Sequence, residues 1–189
     1  MMKIVQLALV ALFISASAIG QEPGGAGIIY GRNYSFTLAA PDGWVLDNTT
    51  EGKTGLCAVF YPVNSSWKSS RTVMYANTAL KGEGQQTREE LIAFDTQQFR
   101  AKAPKLSVTE LPALATRNGK SVVKKFAGDQ FNNFEAVAYI DAPKVIVMLV
   151  LTSRDEAGFL GAYPAFEKLV GSYQFLTSDI RFEPTPQPK

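Results

Sequence analysis

Phe134-Glu-Ala-Val-Ala-Tyr-Ile140, a break at Ala142-Pro143, then Lys144-Val-Ile-Val-Met-Leu-Val-Leu-Thr152 is the stretch that decides the fold. Each half is rich in β-branched, aromatic or other apolar residues, and the proline between them marks a turn. Two paired strands are therefore expected. Residues 145–151 are seven apolar residues in a row. Such a run is far too short to span a bilayer, and it suits a central strand buried on both faces. Upstream, residues 107–116 and 121–127 flank Asn118-Gly119, the strongest hairpin signal in the chain. A four-strand meander is predicted over 107–152.

Helices bracket this meander. Residues 87–102 open with a capping box, Thr87 followed by Glu90, and Pro104 closes the far end. At 100° per residue Leu91, Ile92, Phe94 and Phe99 share one broad arc, with Asp95 inside it. A last helix is read from the stripe Phe166, Leu169, Val170 and Tyr173, with Pro164 in its first turn. Ahead of residue 87, four strands are expected: 34–38, a short one opening at Trp44, then 56–61 and 72–80. Pro41-Asp42-Gly43 is the turn between the first two.

Residues 1–20 read as a secretory leader. Lys3 precedes an apolar core at 4–14, and small residues around Ala16, Ala18 and Gly20 offer a cleavage site. Residues 21–29 are Gly-rich and are expected to be a flexible segment. Residues 30–178 form one domain, and 179–189 a Pro-rich extended tail. Without the leader the chain carries 18 basic and 17 acidic side chains, a formal charge of +1. That balance gives no pull toward nucleic acid or anionic lipid.

Histidine is absent and Cys57 is the single cysteine. The first absence removes Ser-His-Asp and Cys-His catalysis and the usual zinc ligand sets. The second leaves no intrachain disulfide, so stability must come from packing. Cys57 lies among apolar residues in 56–61 and reads as a small buried hydrophobe, with intermolecular pairing or redox sensing as the alternative. Ser121-x-x-Lys124 and Ser65-x-x-Lys68 match a motif of penicillin-recognising enzymes. Residues 121 and 124 fall on a predicted strand, however, where an offset of three separates their faces. The other pair lies in a loop. No Asp-x-Asp-x-Asp-Gly calcium loop exists, and no metal or cofactor is expected.

Three residues stand as candidates for an interface or ligand: Trp67, Trp44 and Asp95. Trp67 lies in a loop between Ser66 and Lys68, as an exposed anchor would. Asp95 is a carboxylate in an apolar arc and must pair, become protonated, or face a polar gap. Its open readings are an edge position reached by rotation of the helix, an ion pair with Arg88 or Lys102, and a functional acid.

Tyr34-x-Phe36-x-Leu38, Pro41-x-Gly43-Trp44, Tyr163-Pro164-x-Phe166, Leu169 and Ser172-Tyr173-Gln174-Phe175 together resemble the PsbP-like family. That family includes Ran-binding import factors and many exported bacterial proteins. The resemblance spans about residues 30–176. It implies an α+β fold in which an antiparallel β-sheet is packed between helices, an α/β/α sandwich, and roles in binding or assembly without shared catalytic residues. The expected function is a non-enzymatic, secreted or periplasmic adaptor with a protein partner. The alternatives are a small-ligand carrier with an aromatic-lined pocket, and a His-free carboxylate hydrolase.

Overall fold

The computed structural model describes residues 25–48, 55–84 and 86–180. The leader 1–20, residues 21–24 and residues 181–189 of the tail lie outside them. The apolar run becomes β11 (Val145–Ser153), which pairs antiparallel with β10 (Phe134–Asp141) on one side and β5 (Thr72–Leu80) on the other. Its alternation feeds two cores. Val145, Val147, Leu149 and Leu151 join one apolar cluster, while Ile146 and Val150 join a second.

The sheet extends from this centre. β4 (Ala58–Pro62) follows β5, and β3 (Trp44–Asp47) forms one edge. β9 (Val122–Ala127) follows β10, and β6 (Ser107–Leu111) forms the other edge. The order is β3-β4-β5-β11-β10-β9-β6, with every neighbouring pair antiparallel. A smaller sheet, β1-β2-β12, joins β1 (Ala26–Gly31) and β2 (Tyr34–Ala39) to β12 (Gln174–Thr177). β7 (Ala115–Thr116) and β8 (Gly119–Lys120) make a two-residue ladder around Asn118-Gly119. The architecture is α+β with antiparallel sheets.

α1 (Arg88–Lys102) begins with both halves of its capping box formed. Glu90 N–H donates to Thr87 Oγ1 at 3.2 Å, and Thr87 N–H donates to Glu90 Oε2 at 3.2 Å. Leu91 enters the second core, with Ile92 and Phe99 packed against it. α2 (Glu156–Ser172) contributes Phe159, Ala162, Phe166, Leu169 and Val170 to the first core.

Four expectations are corrected. The segment before residue 30 is not uniformly flexible, because Ala26–Gly31 forms β1 and pairs with β2 along its length. The strand expected over 107–116 ends at Leu111, where Pro112 cannot donate to a ladder. The last helix starts at Glu156, not near Pro164. Its N-cap is Asp155, whose carboxylate accepts from Gly158 N–H at 2.7 Å. Pro164 is tolerated inside α2 because it lies on the exposed side, where water can satisfy the carbonyl that loses its donor. Finally, Phe94 leaves the apolar arc of α1 and is 44% exposed.

Candidate functional site

Two loops and the open end of α1 frame a groove of about 630 Å³ on the second-core side of the large sheet. Sequence chemistry stiffens both loops. In the β4–β5 loop, Ser65 and Ser70 hydroxyls meet at 2.7 Å and those of Ser66 and Ser69 at 2.8 Å. Trp67 stands at the loop tip with its ring edge-on to Tyr75, centroids 6.2 Å apart. In the β9–β10 loop, Asp129 Oδ1 accepts from the N–H groups of Phe131 (2.9 Å) and Asn133 (2.7 Å), and Asn133 Nδ2 donates to Oδ2 at 3.2 Å. Gly128 and Asn132 take positive φ of 78° and 60°, a conformation that Gly and Asn adopt most readily. The turn holds Phe131 outward, 74% exposed, at the groove rim.

The floor comes from three adjacent strands: Tyr75 and Val73 of β5, Thr152 of β11 and Glu135 of β10. Register places Glu135 opposite Thr152, which is itself opposite Val73. Thr152 Oγ1 donates to Glu135 Oε1 at 3.0 Å. Burial pushes the Glu135 carboxyl up to about 7, opposed by the Thr152 hydrogen bond and assisted by the Asp129 charge. Phe99 of α1 closes one wall and stacks on Phe126 at 4.8 Å. The rim carries Lys68, Arg71, Lys102 and Arg154. Arg71 is bound to Asp155 at 3.3 Å. The other three have no ion-pair partner among the described residues.

The three candidate residues are not brought together. Trp67 lines the groove, half-buried. Trp44 is 8% exposed and belongs to the first core, so its ring fills space inside the molecule. Asp95 is half-buried, and its partner is a phenol: Tyr139 Oη donates to Asp95 Oδ2 at 2.9 Å. Neither Arg88, which pairs with Glu89, nor Lys102 reaches it. Burial raises the Asp95 carboxyl, with the Tyr139 bond acting in the other direction. α1 is thus rotated toward Asp95, and Phe94 takes the exposed edge.

Glu135 was missed by sequence reasoning, although a signal was present. In Phe134-Glu-Ala-Val-Ala-Tyr, alternation puts Glu135 on the same face as Val137 and Tyr139, where only a partnered or neutral carboxyl is stable. Cys57 is buried, 3.6 Å from Thr78 Oγ1 and 3.8 Å from Tyr34 Oη. The Ser-x-x-Lys pairs assemble no site. Ser121 is buried and donates to the Leu114 carbonyl, while Lys124 pairs with Glu110 at 2.6 Å. Among the described residues no three Asp, Glu or Cys side chains cluster to hold a metal ion. No described helix is long and apolar enough to cross a membrane.

No protein-family model and no curated protein sequence matches the chain. Its fold is similar to the solution structure of cyanobacterial PsbP (CyanoP) from Synechocystis sp. PCC 6803. The TM-score is 0.50 at 10% identity, over 87% of this chain and 99% of the other. The likeness defines a PsbP-like α+β fold.

Proposed function

We propose that the chain is an exported, non-enzymatic binding or assembly protein, with one domain, extended at its start from residue 30 to include β1, that engages a protein partner. The leader pattern of residues 1–20 supports export. The two cores support an α/β/α sandwich, since successive β11 residues pack alternately toward α2 and toward α1. The PsbP-like fold supports an extrinsic, assembly-type role.

The observation that carries the partner reading is the outer side of β1. This strand is an edge of the three-stranded sheet. Ile28 is 60% and Tyr30 59% exposed, on one face two residues apart. An edge strand bearing exposed large apolar side chains is a liability unless something covers it. A photoreactive residue at position 28 or 30 of the tagged mature protein, irradiated in cells, tests this. One dominant, saturable crosslink at these positions and not at exposed Glu167 is the expected result. An empty lane at both positions, with efficient crosslinking elsewhere, would overturn the reading.

The groove favours a second reading, a small-ligand carrier. Its volume falls in the range of ligand sites, and Trp67, Tyr75, Phe99 and Phe131 give it aromatic walls set among polar side chains.

A further inference from the structure

We propose that the groove between Trp67, Phe99 and Phe131 is a binding site for a small organic anion, one whose flat apolar body lies against these rings and whose acidic group meets Lys68, Lys102 and Arg154. This site is separate from the β1 surface and does not depend on a protein partner.

Shape gives the first argument. Trp67 and Phe131 are held on two loops braced by their own hydrogen bonds, so the walls exist before a ligand arrives. A preformed wall spares the ligand the ordering of mobile side chains. Phe131 is nearly the opposite of a core residue: it is presented to solvent by a turn that Asp129 fixes. A phenyl ring so placed has no packing role that accounts for it, whereas it lines the groove together with Trp67 and Phe99.

Charge gives the second. Lys68, Lys102 and Arg154 come from a loop, a helix end and a strand end, yet converge on one groove without carboxylate partners among the described residues. The acids nearby form no ion pair with them: Asp129 sets one negative charge against three positive ones, with both its oxygens held by its own turn. Glu135 lies in the floor, bound by Thr152, and burial disfavours its ionised form. Arg71 alone is compensated, by Asp155. The groove therefore offers apolar surface surrounded by unpaired positive charge. Cations above aromatic walls discriminate for an anion over a neutral body of equal shape.

Fluorescence titration of the full mature chain with anilinonaphthalene sulfonate tests the proposal, with phenylnaphthylamine as its uncharged parent. One saturable site is expected, with quenching or energy transfer from Trp67. The sulfonate should bind about fivefold more tightly than the parent, the upper end of what one exposed charge contact supplies. Lys102→Gln and Arg154→Gln should each remove part of that preference without altering the binding of the parent. Trp67→Ala should weaken both probes. All three side chains lie outside the cores, so melting temperatures report whether folding is intact. Equal affinity for the two probes would overturn the anion assignment. Binding unmoved by all three substitutions would place the probe elsewhere, and absence of saturable binding would dispose of the site altogether.

Discussion

The two helices cover the same large sheet in different ways. α2 delivers Phe159, Phe166, Leu169 and Val170 against Val147, Leu149 and Leu151, and these form one apolar cluster. α1 delivers one fully buried residue, Leu91, beside the half-buried Asp95, over strands that carry Tyr75, Tyr139 and Glu135. A sealed face secures the fold, whereas the loosely sealed one leaves room for the groove. The carboxyls Asp95 and Glu135 lie on the second, where Tyr139 and Thr152 supply partners.

The comparison breaks most readily at its sealed side. Phe166→Ala should cost about 3–5 kcal/mol, as large-to-small changes at fully buried aromatics do, because α2 and the sheet leave a cavity where the ring was. Phe99→Ala, at the edge of the groove, should cost clearly less. Equal losses in urea unfolding would show that the two faces are packed alike.

Next comes pH. The folded-state value of Glu135, about 7, stands above its ordinary 4.5. Its contribution is fully present below about 4.5, declines as pH rises toward 7, and is flat beyond. Linkage makes the loss about 3 kcal/mol. Glu135→Gln should therefore unfold at nearly the same urea concentration as the parent at pH 4 and at a higher one at pH 8. Asp95, also raised, leaves a smaller slope of the same sign in the variant. A difference between parent and variant that does not change with pH would refute the buried-neutral assignment.

A smaller effect sharpens the same contrast. Tyr139→Phe removes the donor to Asp95 and should cost about 1–2 kcal/mol, the penalty of a polar group left without its bond. Asp95→Asn keeps an acceptor at that position and should cost under about 1 kcal/mol. The double variant should cost less than the sum, measured as a coupling in a double-mutant cycle.

Much of the architecture was legible because it rests on local chemistry. The 145–151 run, the Asn118-Gly119 turn, the Thr87/Glu90 box and the Pro41-Asp42-Gly43 turn each signal through neighbouring residues, and each element formed. β1 was illegible because pairing with β2 and burial of Ile29 in the first core override a glycine-rich composition. The start of α2 was hidden by Pro164, which reads as a first-turn residue but is accommodated inside the helix on its exposed side. The groove was mostly invisible. Trp67 could be read from its loop, but Lys102, Arg154 and Phe131 converge from segments far apart in sequence, and no local pattern encodes that meeting. Glu135 was readable in principle and overlooked, since its strand otherwise looks uniformly apolar.

β2 sits between β1 and β12, and Phe36 packs against Tyr173 with ring centroids 5.4 Å apart. Thr37 and its cross-strand neighbour Gln174 lie at nearly opposite ends of the chain. Closing so long a loop is slow, because its entropy is lost before any contact rewards it. The small sheet can therefore be completed only after almost all of the polypeptide has emerged.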